Sequence, residues 1–310
     1  MTKKVFLLFV FISLKTFAQQ DTQYTEYMYN MSIFNPAYAT SDFDNLNTGL
    51  TYRQQWVGIK GAPKTVSLFA HYAMTDKSEI GVSFFNDNIG EGILKENKLS
   101  FDYAYIINLN EYNKLSFGMK AGFNMLNVNF SKFTLESGDQ YSDDLFAENQ
   151  NRFYPNIGSG VFYYSKNKYL GFSIPNLLKS SYLKKQDNMF SRSSEEIHYY
   201  LTGGFVFDSE TRYLKIKPSF LIKTSSVGKP SFDLSLNTLM NEKFELGASY
   251  RINTSVNFLA NFYINNNLKI GYAYDYSLNN LSDFNKGSHE FLLLYDFNLY
   301  GTNSKSPRFF

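Results

Sequence analysis

Residues 113–126, NKLSFGMKAGFNML, decide the fold class of this 310-residue chain. Leu115, Phe117, Met119, Ala121, Phe123 and Met125 take alternate positions, with Ser116, Gly118, Lys120, Gly122 and Asn124 between them. Successive side chains of a strand point to opposite faces, so this run has one apolar face and one small or polar face. The same alternation runs from Phe244 through Leu246, Ala248 and Tyr250, with Glu245, Gly247, Ser249 and Arg251 between. It recurs in Leu268, Ile270, Tyr272, Tyr274 and Tyr276, separated by Lys269, Gly271, Ala273 and Asp275. Helical spacing describes none of these runs.

Working outward, the pattern predicts about fourteen strands, near 46–54, 63–72, 79–85, 97–108, 113–126, 156–164, 168–174, 196–207, 212–222, 231–239, 243–251, 254–263, 267–276 and 287–298. Most have the length of a tilted membrane-spanning strand. The even total suits a bacterial single-chain barrel. Every second connection is short and built from turn residues, as at Thr75-Asp76-Lys77, Asn241-Glu242 and Asn265-Asn266. The others are mostly long: 55–62, 86–96, 127–155, 175–195, 223–230 and 277–286, with a short one at Ile252-Asn253. Short periplasmic turns alternating with longer outside loops predict an all-β fold, a transmembrane antiparallel up-and-down β-barrel over 46–298 with both termini periplasmic. A secreted β-sandwich, the alternative, has shorter strands and no reason to sort its loops by parity. Aromatic pairs near strand ends, Tyr103/Tyr105, Tyr163/Tyr164, Tyr199/Tyr200 and Tyr295/Phe297, read as interfacial girdles.

Composition agrees. Tyrosine, phenylalanine and one tryptophan make up 18% of the chain, yet mean hydropathy is -0.32. Apolar side chains at every second position, facing lipid, reconcile the two values. The absence of cysteine excludes disulfide frameworks, thiolate metal sites and cysteine nucleophiles. A net charge of +2 gives no electrostatic case for nucleic acid, so no nucleic-acid partner is expected.

Residues 1–18 read as a cleaved secretory signal: Lys3 and Lys4, an apolar run from Val5 to Leu14, then Thr16-Phe17-Ala18 before cleavage at Gln19. The run is too short to span a bilayer as a helix. Residues 19–45, rich in Gln, Tyr and Asn with a turn signal at Asn35-Pro36, form either a periplasmic segment or a plug inside the lumen. A tail, 299–310, follows the last strand. Phe297 and Phe310 both suit the terminal aromatic that barrel assembly reads.

Several segments together carry a family resemblance. Tyr52 to Thr65 reads YRQQWVGIKGAPKT, preceded by QQDTQYTEYMYN from Gln19 and NPAYA from Asn35. GVSFFNDNIG (from Gly81), KLSFGMKAG (from Lys114), IPNLL (from Ile174), IKPSFLIK (from Ile216), IGYAYDYS (from Ile270) and GSHEFLLLYDF (from Gly287) follow in order. In this the chain resembles the PorP/SprF family of outer-membrane components of the Bacteroidetes type IX secretion system. Segments 127–155 and 179–195 depart from the family pattern. The resemblance implies an outer-membrane, non-catalytic barrel without cofactors. It implies a role in the export or surface anchoring of particular cargo proteins, such as gliding-motility adhesins, through a C-terminal sorting domain. Other secretion components, periplasmic ones among them, are the further partners implied, beside outer-membrane lipid.

His71, His198 and His289 are far apart in strand runs and form no ligand motif. No nucleophile elbow, P-loop or dinucleotide fingerprint occurs. The acidic stretch Glu136 to Glu148 and the pair Glu195/Glu196 read as solvated loop charge, the first lacking EF-hand spacing for Ca²⁺. The best site candidate is 55–65. Its Trp56 is either an anchor at the barrel rim or a rigid aromatic contact for a protein partner. Gly58, Gly61 and Pro63 shape the loop. Arg53 falls on the lumen side of the first strand, since Leu50 and Tyr52 take the lipid side, and a charge there is paired or pore-lining. Arg53, Gln55, Trp56, Lys64, Asn86, Asp87 and Asn176 are the expected partner-binding residues. A passive transporter or porin for small or hydrophobic solutes is the competing function. An outer-membrane hydrolase would need a triad, and the sequence offers none.

Overall fold

The computed structural model describes residues 23–40, 45–132, 149–178, 196–208, 213–225, 229–280 and 282–299. The expected signal peptide, the acidic stretch 136–148, Glu195 and Phe310 lie outside the described residues. Fourteen antiparallel strands form one sheet: β1 Asn45–Gln54, β2 Lys64–Thr75, β3 Ser78–Ile89, β4 Leu94–Asn108, β5 Lys114–Val128, β6 Gln150–Tyr164, β7 Lys168–Ile174, β8 His198–Phe205, β9 Leu214–Ser225, β10 Ser231–Met240, β11 Phe244–Arg251, β12 Ser255–Tyr263, β13 Leu268–Ser277 and β14 Ser288–Asn298. Phe207–Asp208 continues β8 past a break at Val206. In the shared register Gly204↔Ser219 and Phe207↔Ile216, Val206 falls opposite Lys217 and Phe205 opposite Pro218, which has no N–H to give the ladder beside the break.

Each strand pairs with its chain neighbours, and β1 pairs with β14 from Asn45↔Asn298 to Gln54↔His289. The sheet therefore closes and leaves no edge. Burial follows the alternation: Leu50 and Tyr52 are each 36% exposed, while Thr51 and Arg53 are 1% and 2% exposed. The outward band is Leu, Ile, Phe and Tyr, and the inward face is Ser, Asn, Gly and paired charge.

Three expectations change. The loop expected over 86–96 is a four-residue turn, 90–93, because β3 runs on to Ile89 and β4 begins at Leu94. Gly90, Glu91 and Gly92, all at positive φ, close it tightly. Strand β6 starts at Gln150 and pairs with β5 along its whole length, so 127–128 and 150–155, expected in a loop, belong to strands. Tyr164 and Tyr200 belong to no girdle. They are buried, because neighbours in a strand cannot both face lipid. The turn at Asn241-Glu242 has both residues at positive φ (51° and 54°), the primed geometry that matches strand twist.

The apolar core lies inside the barrel around residues 23–40. Tyr27–Tyr29 forms a 3-10 turn (η1) and Met31–Phe34 a single α-helical turn (α1). The Asn35-Pro36 turn closes with the Tyr38 amide donating to the Asn35 carbonyl at 3.1 Å. Phe34 stacks on Tyr200 with ring centroids 5.1 Å apart, and Met28 and Met31 are fully buried.

Candidate functional site: the filled lumen and the outer rim

Residues 23–40 contact the inward faces of strands all round the barrel. The amides of Thr25 and Glu26 donate to Glu290 at 2.9 and 3.1 Å, and the Thr25 hydroxyl donates to Asp275 at 2.5 Å. The Tyr27 hydroxyl bonds Ser219 and Ser235, and the Asn30 amide donates to Ser67 at 3.2 Å. The Thr40 amide donates to Glu79 at 2.9 Å. Near the Asn35-Pro36 turn the wall is glycine. A Cβ at Gly118 would stand 2.2 Å from the Ala37 nitrogen, and one at Gly160 would stand 2.2 Å from Asn35 Oδ1. No larger residue fits this close approach.

Behind these contacts runs a buried ion network. Arg53 bonds Asp275 at 2.5 Å and Glu290 at 2.9 Å. Arg251 holds Asp233 at 2.8 Å and lies 3.9 Å from Asp275, while its guanidinium also donates to Gln23 and to the Tyr24 carbonyl. Lys269 pairs with Glu245 at 2.9 Å and lies 3.1 Å from the centre of the Tyr29 ring. Lys120 pairs with Asp102 at 2.8 Å and reaches the Ser32 carbonyl at 3.5 Å. Pairing of this kind offsets the cost of burying charge.

Glu245 is a hub, accepting from Tyr29 at 2.5 Å, Asn237 at 2.5 Å and Asn261 at 3.1 Å as well as from Lys269. Burial, with Glu245 beside it, holds the Tyr29 hydroxyl well above the usual phenol range, so it remains a donor. Glu26 is the misfit. Burial, reinforced by Glu245 and Glu290 and only partly countered by Lys269 and Asn261, pushes its carboxyl up to about 8. Its Oε1 finds no hydrogen-bond partner among the described residues.

Residues 23–40 leave a cavity on either side. One, of about 90 Å³, lies toward the long loops and is lined by Tyr24, Phe34, Lys98, Asn176, Tyr200 and Lys223 among others. The second, of about 120 Å³, lies toward the short turns, beside Tyr38, His71, Asn267, Lys269 and Asp296.

The residues singled out from sequence do not come together in one cluster. Arg53 and Asp87 face the lumen: Arg53 is engaged by Asp275, Glu290 and Thr25, and Asp87 accepts from the Thr65 hydroxyl at 2.8 Å. Asn86 and Asp87 lie on β3, where a loop was expected, and Asn86 donates across to Asn97 on β4 at 2.7 Å. Gln55, Trp56 and Lys64 sit together at the outer rim. Loop 55–63 is built into that rim: the Val57 amide donates to the Gly287 carbonyl at 2.8 Å, and the Gly90 amide donates to the Gly61 carbonyl at 2.8 Å. Trp56 holds a left-handed backbone, φ 43°, with its amide donating to the Ser288 hydroxyl at 3.1 Å. Asn176 follows β7 and lines the outward cavity, away from the Trp56 loop. Sequence reasoning did not single out the lumen hubs Glu245, Arg251, Lys269, Asp275 and Glu290 as a site. Their signal was charge recurring at inward positions of successive strands.

A closed antiparallel barrel with an apolar outer band and a charged interior is an outer-membrane β-barrel protein, and the outer membrane is where this chain resides. Solved structures agree in fold. The TodX deltaS2S3 mutant monoaromatic hydrocarbon channel aligns with a TM-score of 0.51 at 10% identity, covering 87% of this chain and 94% of that one. A Pseudomonas aeruginosa FadL homologue gives 0.47 at 10% identity, covering 87% and 94%. Acinetobacter baumannii outer membrane protein Omp33 gives 0.45 at 7% identity, covering 82% and 99%. No curated protein matches the chain. The family is nevertheless plain: the profile described as type IX secretion system membrane protein PorP/SprF matches residues 16–295, and the chain belongs to that family.

Proposed function

We propose that this barrel is an accessory of the type IX secretion system that binds specific cargo proteins through their C-terminal sorting domain and helps export them or anchor them at the cell surface. A gliding-motility adhesin is the expected kind of cargo. The observation that carries the reading is the family match across nearly the whole chain. A lumen occupied by the chain's own residues 23–40 supports binding over free diffusion. In this reading Gln55, Trp56 and Lys64 on the outer rim, with Asn176 at the outward cavity, face the cargo. Arg53 and Asp87 hold the lumen side of the same structure, and Asn86 braces β3 against β4. The protein works by protein–protein contact, without catalysis or cofactor, alongside other secretion components on the periplasmic side. Residues 1–18 address it for export, and residues 23–40 act as its plug. Deleting the protein should abolish surface display of one adhesin while other secreted proteins persist. Normal display in the deletion strain would sink the proposal.

A second reading, passage of small or hydrophobic solutes, draws on the fold shared with a monoaromatic hydrocarbon channel and on the two cavities. Planar-bilayer recordings separate the readings: solute-dependent conductance of the intact chain supports passage, and a silent barrel supports the accessory.

A further inference from the structure

The lumen wall meets residues 23–40 both through backbone groups, which every polypeptide carries, and through hydroxyl and amide side chains. The amides of Thr25 and Glu26 reach Glu290, and the amide of Thr40 reaches Glu79. The carbonyls of Tyr24 and Ser32 accept from Arg251 and Lys120. Hydroxyls supply much of the rest: Thr25 to Asp275, Tyr27 to Ser219 and Ser235, Tyr29 to Glu245. The segment has only a 3-10 turn and one helical turn of its own, too little to hold a conformation in water. Its shape depends on the wall. Within this fit Glu26 is a mismatch, a carboxyl set beside Glu245 and Glu290 with one oxygen unpartnered among the described residues.

We propose that the lumen wall built by Arg53, Glu245, Arg251, Lys269, Asp275 and Glu290 is a binding surface for hydroxyl-rich polypeptide, occupied in cis by residues 23–40 and open to exchange with a second polypeptide in trans. The resident competes at the high effective concentration of a tethered ligand, so the exchange is weak until the resident loosens. The mismatch at Glu26 lowers the resident's hold and keeps exchange possible. This deepens the partner-binding reading by giving it a place. Its test uses purified protein, so it fails separately from the display experiment.

The test is binding of a fluorescent synthetic peptide with the sequence of residues 23–40 to the full-length chain in detergent micelles, read by anisotropy. The two point variants are made in the resident only. Tyr29→Phe removes the resident's bonds to Glu245, which keeps Lys269, Asn237 and Asn261 as partners. It should tighten apparent peptide binding about fivefold, the worth of one buried hydrogen bond. Glu26→Gln relieves the mismatch and should weaken peptide binding. The chain has no cysteine, so Asn30→Cys with Ser67→Cys supplies the only two thiols, at positions whose side chains now meet at 3.2 Å. Joining them with a short thiol crosslinker should cut binding at least tenfold, and a reducible linker should restore it on reduction. Heat-modifiable gel migration checks that each barrel is folded. Peptide binding absent from every variant, or indifferent to Tyr29→Phe, Glu26→Gln and the crosslink alike, overturns the proposal.

Discussion

Arg53 shows what one inward charge does in this barrel. It satisfies two carboxylates and a hydroxyl at once, and all of them are buried. Removing it leaves Asp275 and Glu290 short of their counter-charge. Arg53→Ala should destabilise the barrel by about 3–5 kcal/mol, measured by urea unfolding from lipid vesicles. Glu26 behaves oppositely, because its seat favours the protonated form. With the carboxyl raised from 4.5 to about 8 in the seated state, raising the pH from 4.5 to 8 progressively loosens residues 23–40, and outside that window the effect is flat. A spin label at Ile33→Cys, beside the outward cavity, should report rising mobility between pH 5 and 8. Glu26→Gln should hold that signal constant, since Glu245, Glu290 and Lys269 then face a neutral amide.

At the level of the element, the alternation that marks each strand also sets its energetics. Phe101 stands at the middle of β4 on the lipid face, 54% exposed to what is hydrocarbon in the membrane. Phe101→Arg should cost about 2–4 kcal/mol in refolding into vesicles, as expected for a cation at the bilayer midplane. Gly118 on β5 tests the opposite face. Valine suits a strand, but its Cβ would meet the backbone of Pro36 and Ala37 at 2.2 Å. Gly118→Val should therefore leave the barrel folded and free the segment it collides with, raising the mobility of the label at Ile33. Strand existence was legible because period two survives any loop length. Strand ends were not. Asn86-Asp87-Asn88 looks like turn chemistry, yet it continues β3, because the pairing Asn86↔Asn97 and the Asn86–Asn97 side-chain bond extend the ladder beyond the apolar run. Tyr164 and Tyr200 were misplaced for a related reason. Aromatic content marks a strand end, but only parity tells lipid from lumen.

For the whole molecule, closure between β1 and β14 makes the inward face a single enclosed surface, and residues 23–40 divide it into one cavity toward the long loops and another toward the short turns. The intact chain should be electrically silent in planar bilayers, and Gly118→Val should show discrete openings. A steady open current from the intact chain would contradict the divided lumen. By itself the sequence determined the class of fold and the alternation of lipid-facing and lumen-facing positions along the strands, because the side-chain period is a local property. The lumen site was only half legible. Charges at inward positions could be read, but not their pairing, since Arg53 lies over two hundred residues from both Asp275 and Glu290 and meets them only when the last strand closes on the first. Whether residues 19–45 hung in the periplasm or entered the barrel was equally beyond the sequence. Only the tertiary structure supplied the glycine-lined approach and the carboxylates that hold Thr25 to Thr40 inside, because that fit is a property of the closed cylinder.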